Sequence, residues 1–185
     1  PLIHNVMNTD FVVGITDQAT NNLNMMFNTE IGQQYLSRKK GFEMDFIKRL
    51  PEFGFSAIAN ILASIKLAKY MKLGKDDAIV TVATDGADLY LSELNKTKAE
   101  FRGVYDETAC GEIFGQYLKG ISTDNTLELN QKDKERIFNL GYYTWVEQQG
   151  ISTNDFEKRR NQNFWNEHYQ YMLSLDDRIN DFNSI

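Results

Sequence analysis

Residues 78–90 read AIVTVATDGADLY. Ala78, Ile79, Val80, Thr81 and Val82 form a continuous apolar, β-branched run, which predicts a strand over Ala78–Ala83 buried on both faces. The run breaks at Thr84-Asp85-Gly86, and the apolar pattern that resumes predicts a helix over about Ala87–Lys98. A hydroxyl, a carboxylate and a glycine at the carboxyl end of a buried strand have two readings. In open parallel sheets that position is the rim of the ligand crevice. The same residues also build an ordinary strand-to-helix turn. Taken by themselves, they leave both readings open.

A second strand-turn-helix lies upstream in DFVVGITDQATNNLNMMFN, residues 10–28. Phe11–Ile15 is a short apolar run of strand type, and Thr16 or Asp17 is a natural cap for a helix through Phe27. Further helical segments are expected near Glu30–Lys39 and Glu43–Leu50. The loop Pro51-Glu52-Phe53-Gly54 then leads into FSAIANILASIKLAKYMKLG, residues 55–74. Here Ser56 can cap, and Gly74 can end the helix in a left-handed conformation. Ile58, Ile61, Leu62, Ile65 and Ala68 share a face among small residues, so the first half should pack closely against a sheet. Lys66, Lys69 and Lys72 come toward the C-terminal end, where they are expected to reach water and to suit the helix dipole. Strands separated by helical connections imply parallel pairing. Two such strands do not make a stable buried sheet, so partner strands are expected outside this chain.

Bulk properties bound the function. The 185 residues suit one compact domain or a large piece of a bigger protein, and 42% hydrophobic with 25% charged residues allow a real core. Twenty basic against 26 acidic residues leave a net charge of −6. That excess, without a basic cluster, disfavours nucleic acid and anionic membranes as partners. The longest mostly apolar stretch, Phe55–Ile65, is too short for a membrane span, and no signal peptide is visible. A lone cysteine, Cys110, fits a reducing compartment, hence a cytoplasmic expectation. The chain begins on Pro1 and enters at once on Leu2-Ile3, which gives the expectation of a piece of a longer protein.

From about Glu100 the chain turns polar, aromatic and helical. Asn130 can cap one helix and Gly150 can stop it. Phe164, Trp165, Tyr169, Met172 and Leu173 fall at helical spacing in another. Tyr142, Tyr143 and Trp145 read as core or interface aromatics. Cys110 has no basic neighbour in sequence to activate it and reads as a bland thiol. His4 and His168 stand without ligand-spaced partners, which disfavours zinc. Asp85 and Asp88 lack the oxygen-rich loop of a calcium site. Gly54-Phe55-Ser56 opens a helix whose free N–H groups could meet an anion, but taken alone it reads as an ordinary Ser cap.

In order and spacing, DFVVGITDQAT, GFSAIANILASIKLAKYMKLG and DAIVTVATDGADLYLSEL resemble three C-terminal blocks of the cysteine synthase-like family, which are fold type II pyridoxal-phosphate enzymes. The resemblance covers about Pro1–Leu94. It implies an α/β fold: the C-terminal part of a three-layer αβα domain over residues 1–99, with few parallel strands, followed by a helical extension over 100–185. It further implies that Thr84 matches the hydroxyl that hydrogen-bonds the cofactor's pyridine nitrogen. Gly54 and Ser56 match the helix start lining the cofactor pocket, and Gly86 matches the turn glycine. A neutral hydroxyl leaves the ring nitrogen unprotonated and favours β-elimination or β-replacement on serine-, O-acetylserine- or cysteine-type amino acids. A homodimer is the family expectation.

The chain departs from the pattern at Ala57 and Ile58, where the family commonly has smaller residues. The larger departure is that nothing matches the family's cofactor-binding lysine or phosphate loop, so the isolated chain is expected to be inactive. The alternative reading is a non-catalytic interaction or regulatory module that binds a protein partner through its acidic, aromatic tail, Tyr105–Phe182.

Overall fold

The computed structural model describes residues 4–101 and 103–184. It is mostly helical, and the chain divides into two compact units, Val13–Thr126 and Pro1–Val12 with Leu127–Ile185.

The larger unit is organised around one helix, α1 (Asp17–Asn28). Thr16 caps it, its side chain accepting from the Ala19 N–H, which satisfies one of the orphan donors of the first turn. Leu23, Met25 and Met26 are fully buried. Thr29 then caps α2 (Glu30–Lys40), and Gly41 ends it in a left-handed conformation at φ +73°. The α1–α2 corner requires glycine at 32. A Cβ there would lie 2.0 Å from the Met26 carbonyl oxygen.

A short helix, α3 (Met44–Ile47), precedes α4 (Phe55–Met71). Next come α5 (Leu91–Glu100) and α6 (Glu107–Phe114). Asp106 caps α6 by accepting from the Thr108 and Ala109 N–H groups, and a π-helical turn over Gly115–Lys119 extends it. Leu23, Met26, Leu36, Ile47, Ile58, Leu62, Cys110 and Ile113 close one apolar core. The larger unit thus runs past residue 99 and through α6.

In the smaller unit, Asn130 and Asp133 form a reciprocal capping box on α7 (Gln131–Tyr142). A π-helical turn follows, and Gly150, at φ +71°, ends the run. Then come α8 (Thr153–Lys158) and the long α9 (Gln162–Asn183). Val6, Phe138 and Phe156 form this unit's core, with Tyr142 and Trp145 packed against it. The guanidinium of buried Arg159 lies 5.4 and 5.2 Å from the Phe138 and Phe156 ring centres.

Several expectations are corrected. The expected strands and parallel pairing give way to two short strands among the described residues, β1 (Phe11–Val13) and β2 (Thr126–Glu128), which pair antiparallel. The Gly14 N–H donates to the Asn125 carbonyl at 2.8 Å, and the Leu129 N–H to the Asp10 carbonyl at 2.7 Å. Residues 78–83 form no strand, and Val80 is 95% exposed. A β-branched run becomes a strand only when a neighbour takes its N–H and C=O groups. Here the Val82 carbonyl instead accepts from the Asn60 side chain at 2.9 Å. The first half of α4 packs among helices rather than on a sheet, with Ile58 and Leu62 in the core beside α1. Gly54, not Ser56, is the cap residue of α4, and no side chain caps it. Lys72, not Gly74, takes the left-handed conformation that ends it, at φ 54°. Among the described residues, no helix is long and apolar enough to cross a membrane.

Candidate functional site

Two of the four residues singled out in the sequence, Gly54 and Thr84, bond to Asp85, and Gly86 follows it in the chain. The Gly54 N–H at the start of α4 donates to the Asp85 carbonyl at 2.6 Å. The Thr84 hydroxyl donates to Asp85 Oδ1 at 2.9 Å, and the Tyr90 hydroxyl to Asp85 Oδ2 at 2.5 Å. Tyr90 in turn packs its ring 4.6 Å from that of Phe55, the first residue of α4. Both glycines are spent on close approach. A Cβ on Gly54 would lie 2.7 Å from Asp85 Oδ1 and 2.8 Å from Tyr90 Cε2. One on Gly86 would lie 2.7 Å from Asp88 Oδ1. Ser56 is exposed in the first turn of α4 and stands apart from this network.

The electrostatics follow from the same bonds. The Tyr90 hydroxyl, and after it the Thr84 hydroxyl, hold the Asp85 carboxyl below the usual aspartate range. The Asp85 carboxylate correspondingly pushes the Tyr90 phenol up. An open cavity of about 470 Å³ lies on the Gly86 side, lined among others by Lys48, Glu52, Gly86, Asp88 and Leu91.

Thr84 is exposed and has one hydroxyl proton to give. It donates to Asp85 here, and rotation of the hydroxyl would offer it to an incoming acceptor. Asp85 would keep its bond from Tyr90. This donor set fits contact with an unprotonated ring nitrogen.

Sequence reasoning missed a second polar centre. Lys66, expected to reach water, is only 7% exposed. Its ammonium donates to the Asp124 carbonyl at 2.7 Å, to Asp124 Oδ1 at 3.0 Å and to the Gly14 carbonyl at 3.3 Å. Lys69 donates to the Ile121 carbonyl at 2.6 Å, so two lysines of α4 clasp the 121–124 loop. Ser122 also donates to Asp124 Oδ1, and this bond, followed by the one from Lys66, lowers the Asp124 carboxyl from its ordinary range. A cavity of about 340 Å³ adjoins the cluster, bordered by Thr16, Gln18, Gln116 and Tyr117. One signal could have found it: Ile58, Leu62 and Lys66 recur at four-residue spacing, on the face that is buried.

Cys110 lies fully buried in the larger core, and burial pushes its thiol up, so it stays protonated and unreactive. Burial likewise raises the Tyr105 phenol. His4 donates or accepts at the Thr9 hydroxyl, 2.9 Å away, and His168 stacks on Phe164 with ring centres 4.1 Å apart. Among the described residues, no group of three or more His, Cys, Asp or Glu side chains could hold a metal ion.

No protein-family model, curated protein or solved structure matches this chain.

Proposed function

We propose that the chain is a C-terminal segment of a pyridoxal-phosphate-dependent, cysteine synthase-like enzyme. One observation carries the reading: the Gly54 N–H bonds the Asp85 carbonyl, joining two sequence blocks whose family counterparts line one cofactor pocket. Pyridoxal phosphate, when bound, supplies the electron sink for β-elimination or β-replacement on serine-, O-acetylserine- or cysteine-type amino acids. Thr84 presents a neutral hydroxyl to the ring nitrogen. Gly54 and Gly86 keep the turn that carries Thr84 tight against the start of α4, and Ser56 lines the same helix start. Asp85 holds the turn through Tyr90, which leaves the Thr84 hydroxyl free to turn from Asp85 toward the ring. The covalent lysine and the phosphate loop belong upstream in this reading, so this segment forms one wall and is inactive alone. Assembly as a homodimer and a cytoplasmic setting complete it, the latter resting on the single buried cysteine.

The test uses the protein encoded by the whole reading frame. Incubation with pyridoxal phosphate should produce a visible absorbance band that shifts on adding O-acetylserine or cysteine. Thr84→Ala should weaken that band or slow turnover. A full-length protein that develops no band overturns the proposal.

A further inference from the structure

An open cavity of about 330 Å³ reaches into the core of the larger unit, between α1, α2, α3, α4 and the π-helical turn that extends α6. Every side chain that lines it is a leucine, an isoleucine or a phenylalanine. Its floor is Leu23, Leu36, Ile58 and Leu62, all fully buried against the outside. Its mouth is Phe42 and Phe46, 40% and 53% exposed, with ring centres 5.8 Å apart.

Close-packed interiors hold few voids larger than a water, and apolar voids stay dry. A cavity of this size lies in the range that takes small molecules. The lining side chains carry no nitrogen or oxygen, so a polar group brought inside would lose its water and find no partner. That excludes sugars, nucleotides and peptide backbone, and leaves a hydrocarbon.

One cation marks the edge. Lys40 follows Leu36 by one turn on the same face of α2. Its ammonium sits 4.4 Å from the centre of the Phe114 ring, and that ring is part of the cavity wall. Among the described residues, no carboxylate comes within ion-pair distance of it. Asp45 is turned to Lys48 at 3.8 Å, Glu107 on the facing helix α6 is taken by Lys39 at 3.4 Å, and Glu43 forms no ion pair with it. A wholly apolar cavity with an unclaimed ammonium at its edge complements a molecule that is hydrocarbon at one end and anionic at the other.

The geometry points to a binding site for a medium-chain fatty acid, its alkyl chain filling the cavity and its carboxylate paired with Lys40. At roughly 30 Å³ for each methylene, about the share of one water in the liquid, the 330 Å³ hold about eleven carbons beyond the carboxylate, the chain of dodecanoate. The site lies within the larger unit and shares no residue with the network at Asp85. The inference does not depend on the proposed enzyme reading.

Isothermal titration calorimetry tests it, on the protein encoded by the whole reading frame, with the even-numbered fatty acids from octanoate to hexadecanoate below their micelle concentrations. One molecule should bind per chain. Affinity should rise about fourfold per added methylene up to about dodecanoate and then level off, because a longer chain has no cavity left to fill. Lys40→Gln keeps the stem on Phe114 and removes the charge. It should weaken dodecanoate about three- to fivefold and leave dodecanol unchanged. Ile61→Trp places a large ring in the cavity and should abolish binding, with folding checked by circular dichroism. Four results overturn the inference: no binding of dodecanoate; an affinity that climbs without levelling through hexadecanoate, as adsorption on the surface would; dodecanoate and dodecanol equally indifferent to Lys40→Gln; or undiminished binding by a folded Ile61→Trp. If Ile61→Trp does not fold, the chain-length series on the natural sequence still decides.

Discussion

Lys66 and Asp124, 58 positions apart in sequence, are joined side chain to side chain at 3.0 Å, and the same ammonium also holds the Asp124 carbonyl and Gly14 carbonyl. The bond fixes the 121–124 loop to α4. A buried ammonium persists only where its donors are taken up, and here all three are.

Lys66→Met keeps the apolar stem and removes the three donors. The carbonyls of Gly14 and Asp124 then lose a partner near the core, a change worth about 1–3 kcal/mol. Urea denaturation followed by far-UV circular dichroism measures it. An unchanged midpoint would show that water replaces the ammonium without cost.

Asp85 and Asp124 both have carboxyls held below the ordinary aspartate value. The folded state therefore binds fewer protons than the unfolded chain as acid is added. Their contribution is fully present above the unfolded value of about 3.9, and it is lost as pH falls through the lower folded values. The thermal midpoint should drop on acidification below about pH 4. Asp85→Asn and Asp124→Asn should each flatten that drop, as read by thermal melts at a series of pH values.

Gly54→Ala should cost about 1–3 kcal/mol through overpacking. The new Cβ would meet Asp85 Oδ1 at 2.7 Å and the Asp85 carbonyl oxygen at 2.9 Å. The second of these is backbone, which does not swing aside. The Gly54–Asp85 bond should open, so amide exchange at Gly54 should accelerate in the variant. Unchanged exchange would refute the close approach.

Cys110 should resist alkylation in the native protein and react at once in denaturant. It is fully buried, and burial raises its thiol. Stoichiometric labelling of native protein with Ellman's reagent within seconds would contradict its place in the core.

Local signals were legible in the sequence. Thr16, Asn130 and Gly150 act as the expected cap residues and helix stop, because each is decided by bonds or backbone freedom within four residues. The apolar face of α4 was legible too, since periodicity alone places Ile58 and Leu62 together. The run at 78–83 was misread because strand formation needs a neighbour, and composition does not reveal whether one is at hand. Lys66 was misread because residue type was weighed above its position on the buried stripe. Gly54 and Gly86 stand out in the sequence as glycines, yet what they accommodate, the Asp85 carboxylate beneath Tyr90 and the Asp88 carboxylate, emerges only in three dimensions.

By itself, the sequence determined helices such as α1 and α7 with their Thr16 and Asn130 caps and the apolar stripe of α4, and it excluded a strongly basic surface. Those properties arise from short-range backbone bonding and side-chain periodicity. Only the tertiary structure decided that Thr84 and Gly54 both bond to Asp85 while Gly86 packs against Asp88, that a lysine is drawn inside to meet Asp124, and that residues 78–83 form no strand. Each of these depends on which distant segment supplies a partner, and long-range pairing is set by packing of the whole chain rather than by any local run of residues.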